Sequence, residues 1–444
     1  MHTFNKSEYI VMALGNIIGS GIFLASGMVI SIAGAWAPLA YLFGGLIMMM
    51  EVAFLIEMSI IDPVPGAFKV HAQEVFGEWW GFVIGWMFWT SGILGMASEV
   101  TACAIFARLW LPEIPLWLFS LFFAFVITLI NLNDLKGLSK FELVLAVTKV
   151  IALVFFVIAG MIATLGFPVG ETVHNFTPFA EALQSPVQGI FGLLASMLLI
   201  LFAYTGTGII GIAATETERA AEVVPPATRI VTISIVFLYT LSAFFIVVLL
   251  PSSALDVNTS PFVTLFRLAN IPYSGDVVNF ILLTATLSAL NSQVYSSSRM
   301  LFSLARNGQA PKITAYQNQK GVPVSAVWLS GSFLLFTALL SYVLPETIFI
   351  YTVSASGFLA LVNWMSVSAT HYFYRKKIQS IAPEKITYKA PFYPYLSWIC
   401  FFMILLTVLS AALYPDQLPG LYAGGIILFI IGTAYFLLPK GEKR

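Results

Sequence analysis

Apolar residues in this chain fall in twelve long runs bounded by charged or turn residues, at about 8–33, 37–61, 79–107, 115–132, 141–166, 187–215, 227–250, 275–305, 323–344, 347–370, 392–413 and 419–438. A helix rising 1.5 Å per residue needs about 20 residues to cross a hydrocarbon core of about 30 Å. The runs therefore predict an all-α membrane protein of twelve transmembrane helices. An even number of crossings puts both termini on one side. The polar leader Met1–Glu8 lacks a small-residue cleavage site, so the first run reads as a retained helix and not a signal peptide.

Composition agrees. The 444 residues are 59% hydrophobic and only 9% charged, with a mean hydropathy of +0.91, whereas soluble domains carry about 25% charged residues. Helices and short loops consume the whole chain, which reads as a single transmembrane domain, 1–444. They leave no room for a soluble catalytic domain, and there is no Gly-Lys-Ser or Gly-Lys-Thr phosphate loop to drive an ATP pump. Cys103 and Cys400 lie in apolar runs, and His2, His71, His174 and His371 are scattered near run ends. Neither a disulfide framework, a metal site nor a cofactor is implied. The formal net charge of zero hides an asymmetry: with a cytoplasmic N-terminus, every one of the 21 basic residues except Arg108, Arg267 and the in-span Lys149 falls in a cytoplasmic segment. By the positive-inside rule both termini are cytoplasmic, and no separate basic patch is left for nucleic acid.

Two runs carry glycine clusters near their middles. Span 1 contains Gly15-Asn16-Ile17-Ile18-Gly19-Ser20-Gly21, and span 6 contains Tyr204-Thr205-Gly206-Thr207-Gly208-Ile209-Ile210-Gly211. Glycine weakens a helix and lets other groups approach its backbone. Such clusters serve either close helix packing or an interruption, and interrupted backbone is tolerated in lipid only where it lines a cavity or is buried in protein. Spans 1 and 6 enter from opposite sides, the pattern of two inverted five-helix repeats, about 8–166 and 187–370, with two helices appended at about 392–438. Broken helices offer N–H groups to a carboxylate and C=O groups to an ammonium. A site able to take both suits a zwitterion, hence an amino acid.

The chain resembles the amino acid transporter (AAT) family of bacterial permeases, in the amino acid–polyamine–organocation superfamily, over nearly its full length. The resemblance rests, in order, on Gly15 to Phe23; Glu57-Met58 with Pro63-Val64-Pro65-Gly66-Ala67-Phe68; Gly85-Trp86-Met87-Phe88-Trp89; Ala97 to Ala102; Trp110 to Trp117; Phe141-Glu142 with Lys149; Phe202 to Glu216; Ser296-Ser297-Ser298-Arg299 with Leu304-Ala305 and Pro311; and Tyr388-Lys389-Ala390-Pro391. It implies a LeuT-type fold, alternating access, and amino acid uptake into the cell usually coupled to protons. It also implies that backbone at Ile18, Gly19, Ser20 and Gly21 holds the substrate carboxylate, that carbonyls near Phe202, Ala203 and Thr205 hold its ammonium, and that Phe202 closes over the substrate.

The charged residues inside spans are weighed singly. Lys149 is eight residues past Phe141, about 12 Å into its helix, beyond the ~6 Å reach of a snorkelling stem. It is either a structural strut or a fixed cation touching span 1 carbonyls near Gly15 and a span 8 hydroxyl, Ser288 or Ser292, where sodium-coupled relatives bind sodium. Glu99 either carries a proton or holds span 3 in place. Glu57 reads as a solvated or loop-capping carboxylate, and Glu51 as paired or protonated with no partner named. Trp86, Phe88 and Trp89 are pocket wall or packing, and so is the run Ser354-Ala355-Ser356-Gly357. Glu216, Glu218, Arg219 and Arg299 are solvated helix ends or an inner gate.

The expected function is proton-coupled import of amino acids, with an exchanger as the alternative. No continuous polar pore marks a channel, and no catalytic triad or carboxylate pair marks an enzyme. Many members of the family read Gly-x-Glu in span 6 where this chain reads Gly206-Thr207-Gly208. With that carboxylate gone and facing helices that read as largely apolar, the expected substrate is neutral and aliphatic.

Overall fold

The structure is a computed structural model and describes residues 6–63, 67–132, 135–165, 190–215, 217, 219–255, 259–344 and 347–437. Among the described residues eight helical stretches are long and apolar enough to cross a membrane and three apolar helices are shorter; with the first stretch, Ala25–Ile61, divided between spans 1 and 2, they match the twelve runs. Span 1 is α1 (Lys6–Ile17), α2 (Ser20–Phe23) and α3 (Ala25–Ala33); span 2 is α4 (Ala37–Ile61). A short α5 (Ala67–Phe76) leads to spans 3, 4 and 5, which are α6 (Glu78–Arg108), α7 (Leu116–Asn131) and α8 (Leu135–Thr164). Span 6 is α9 (Ile190–Ala203) with α10 (Gly208–Thr215), and span 7 is α11 (Ala220–Leu249). After α12 (Pro261–Leu268) come spans 8 to 12: α13 (Ser274–Arg306), α14 (Val324–Val343), α15 (Ile348–Ile381), α16 (Tyr395–Ala411) and α17 (Leu418–Leu437).

The breaks fall where the glycine clusters lie. Gly19 is extended (φ −148°, ψ −155°) between α1 and α2, and Gly206 has φ +94°, a conformation that favours glycine, between α9 and α10. A Cβ on Gly21 would collide with the Ala203 backbone, so this glycine sets how closely the two broken spans approach. Spans 1 and 6 pack with spans 2 and 7, while spans 8 and 10 pack along span 3. Tyr41, Tyr204 and Tyr239 form a buried aromatic group behind the breaks. Tyr204 donates to the Tyr41 carbonyl at 2.9 Å and Tyr239 to the Ile17 carbonyl at 3.2 Å.

Hydropathy misplaces several helix ends, two of them with consequences for the interior. Span 7 starts at Ala220 and runs through Pro225 and Pro226, not from 227. Span 10 continues to Ile381, eleven residues beyond the end of its apolar run at 370. The extra turns hold buried charge: Glu57 is fully buried, which corrects the solvated reading, and its Oε2 lies 3.1 Å from Arg375 Nη1 and 3.3 Å from His371 Nε2. The same oxygen accepts the Ala390 N–H at 2.5 Å, so it does cap the loop after span 10. Arg375 also donates to the Ala390 carbonyl at 3.1 Å and stacks on Tyr393. Glu51 is fully buried too; one oxygen accepts the Ser368 hydroxyl and lies 3.6 Å from the Cys400 thiol, and the other has no partner.

Two stability predictions follow from these groups. Arg375→Leu strands a buried carboxylate and should cost about 3–5 kcal/mol, read as a lower melting temperature in detergent; adding Glu57→Gln should recover part of the loss, and no recovery would mean that the charge is not the cause. On α5, Lys69 is fully buried with its stem against Gly85 and its Nζ without a hydrogen-bond partner, and burial pushes its pKa down to about 8. Between pH 8 and its ordinary 10.5 the unfolded chain holds more protons, so stability rises with pH across that window. Lys69→Met should flatten this rise in pH-dependent melting.

Candidate functional site

The break in span 1 frees polar backbone that other helices satisfy. The Lys149 ammonium, fully buried on span 5, donates to the carbonyls of Gly15 at 2.5 Å and Ile18 at 3.0 Å. From span 3, the carboxylate of Glu99 accepts the Ser20 N–H at 3.2 and 3.0 Å. The approach is close: a Cβ on Gly19 would lie 2.6 Å from Glu99 Oε1. In span 6 the Thr205 N–H and hydroxyl both donate to the Phe202 carbonyl, at 2.9 and 2.6 Å. Asn16 joins the two breaks, its Nδ2 donating to the Gly206 carbonyl at 2.7 Å.

A cavity opens beside these breaks, bounded by spans 1, 2, 3, 6, 8 and 10 and by α5. Of the eight residues expected to bind substrate, Thr205 and Gly208 line it; Ile18, Gly19, Ser20, Gly21, Phe202 and Ala203 are buried outside its lining. The Ser20 N–H and Phe202 carbonyl, expected to hold the substrate's two ends, are engaged by Glu99 and Thr205. Phe88 lines the cavity wall against Phe68 and Gly208, whereas Trp86 and Trp89 donate to the Gln309 carbonyl and the Ser330 hydroxyl. Ser356 lines the cavity, but Ser354 is packed against Gly420 of span 12 and Gly357 against Leu198.

Of the expected lysine partners, Ser292 is buried on span 8, whereas Ser288 Oγ has no hydrogen-bond partner and so does not hold Lys149. Arg219 is exposed beside Glu222, and Arg299 stacks on Tyr295; Glu216 and Glu218 lie outside the described residues.

The cavity wall is mostly apolar, as the facing helices read, with Leu55, Phe68, Phe88, Trp364 and Val367 in it, but polar side chains are set among them. Asn16, Ser91, Gln293, Ser296, Ser297 and Asn363 all line the cavity, and no charged side chain does among the described residues. The sequence assigns no lining role to Asn16, Gln293, Ser297 and Asn363: Asn16 and Ser297 occur there only within motifs, and a single amide or hydroxyl barely lowers the hydropathy of its run. An amide inside the Gly15 to Gly21 cluster was the available signal for Asn16.

A manganese transporter from Eremococcus coleocola shares this fold, at a TM-score of 0.66 over 98% of this chain and 92% of that one, with 13% sequence identity. The gamma-aminobutyric acid permease of Bacillus subtilis (strain 168) is 33% identical over 98% of this chain and 93% of its own. The aromatic amino acid transport protein AroP of Escherichia coli (strain K12) is 32% identical over 99% and 96%. The amino acid permease family profile matches residues 8–438, and the chain belongs to that family: it is a multi-pass membrane permease of amino acids and not an enzyme.

Proposed function

We propose that this permease imports neutral amino acids across a bacterial plasma membrane by proton-coupled symport with alternating access, both termini being cytoplasmic. The observation that carries this reading is the pair of charges on the span 1 break: Lys149 on the carbonyls of Gly15 and Ile18, and Glu99 on the Ser20 N–H. A cation held on the chain itself replaces the charge that a sodium ion would bring to these carbonyls. Glu99 occupies the amide that a substrate carboxylate would need. Two carboxylates do not both stay ionised at one amide, so a substrate arriving there favours a proton on Glu99. Substrate and proton are thereby bound together. Neutrality of the substrate side chain is supported by Gly208, which faces the lumen where many relatives carry a glutamate, and by the uncharged lining.

Sodium-free proteoliposomes with an acidic exterior test the coupling. Wild-type protein should accumulate a labelled neutral amino acid, and a protonophore should abolish the accumulation. Glu99→Gln keeps an acceptor for the Ser20 N–H but cannot titrate; it should retain counterflow exchange and lose pH-driven accumulation. Exchange without any response to the pH gradient would favour the exchanger, and a sodium requirement would overturn the role given to Lys149. A second expectation concerns the substrate's ends. Amines or carboxylic acids with the same side chain should compete roughly 5- to 150-fold more weakly than the amino acid, the range set by one unpaired buried polar group at ~1–3 kcal/mol. Strong inhibition by a decarboxylated analogue would count against the site.

A further inference from the structure

The cavity wall away from the breaks has chemistry of its own. On span 3, Gly92 and Gly95 clear space for polar heads reaching across from span 8: a Cβ on Gly92 would collide with Ser297 Oγ, and one on Gly95 would lie 2.8 Å from Gln293 Oε1. Span 10 adds Asn363 and span 1 adds Asn16. Three oxygens here have no hydrogen-bond partner in the protein: Asn16 Oδ1, Ser297 Oγ and Asn363 Oδ1, on side chains that are 3%, 1% and 5% exposed. Asn16 donates one amide N–H to the Gly206 carbonyl, which orients the side chain and leaves its Oδ1 as an acceptor without a donor. Asn363 likewise leaves an acceptor, and Ser297 offers a hydroxyl.

Buried acceptors without donors are unfavourable, and a site built around them rejects ligands that cannot supply N–H or O–H groups. An aliphatic side chain supplies none. A charged one meets no counter-ion on the uncharged wall. Phe88 and Trp364 flank the polar groups and suit the methylene stem of a short side chain.

We propose that this wall is a side-chain subsite selecting neutral amino acids that end in a hydrogen-bond donor, carboxamides foremost and hydroxyls next, with Asn16, Ser297 and Asn363 as its specificity determinants. This rests on the reading of the cavity as the amino acid site, and it replaces the aliphatic substrate expected from sequence.

The test is competition between labelled glutamine and labelled leucine in counterflow by the full-length protein in proteoliposomes, with asparagine, serine, threonine and valine as competitors. Ligand-induced shifts of the melting temperature in detergent give a second readout. Carboxamides should compete best and raise the melting temperature most. Asn363→Leu and Ser297→Ala should each weaken glutamine by about 10-fold relative to leucine. Leucine or valine outcompeting the carboxamides in the wild type, or an unchanged glutamine-to-leucine ratio in a folded variant, overturns the proposal. If Asn363→Leu shows no melting transition, Ser297→Ala, which removes a single oxygen, carries the test. Failure of every amino acid to exchange or shift melting would sink the amino acid site itself, a result distinct from the wrong amino acid winning.

Discussion

A helix interrupted inside a bilayer strands backbone N–H and C=O groups that lipid cannot satisfy, and the arrangement of this permease follows from where those groups find partners. Span 1 alone gives up the carbonyls of Gly15, Ile17 and Ile18 and the N–H of Ser20. They are taken by Lys149 of span 5, Tyr239 of span 7 and Glu99 of span 3, while Asn16 answers the Gly206 carbonyl in span 6. One break thus binds four other spans to itself. Each partner approaches from a different direction, so the break is held in place without being packed shut, and a cavity can open beside it.

The rest of the interior manages polarity in two other ways. At the end of span 2, Glu57 concentrates Arg375, His371 and the Ala390 N–H on one oxygen, joining spans 2 and 10 and the following loop by charge. Along span 3, glycines instead let side chains from spans 8 and 10 come close, so that neutral amides and hydroxyls crowd the cavity without a single ionised group among the described residues. Charge therefore lies at the break and at the helix ends, and hydrogen bonding without charge lies between them.

Much of this was legible in the chain. The twelve apolar runs gave the crossings, because hydropathy over twenty residues is a property of the run itself. The glycine clusters gave both breaks, since few other residues tolerate the backbone seen at Gly206. Lys149 stood out because no lysine stem reaches water from that depth. What stayed hidden depends on partners distant in sequence. Glu57 reads as solvated until Arg375, 318 positions later, is brought beside it, and the charged end of span 10 reads as loop for the same reason. Ser297 and Gln293 acquire meaning only when Gly92 and Gly95 of span 3 stand opposite them, and Asn363 only when span 10 brings it to the same cavity. The short helices α5 and α12 fall below the length at which a hydropathy run is noticed.

The separation of Glu57 from Arg375 has a consequence for how the protein is made. Translation adds roughly 5–20 residues per second, so a ribosome that has just placed Glu57 in span 2 needs on the order of 15–60 s to reach its partner. Over that interval span 2 is in the membrane with a carboxylate that lacks its arginine, its histidine and its loop amide. A chain that ends before span 10 lacks every one of these partners, so the buried ion pair forms only in molecules that carry both spans.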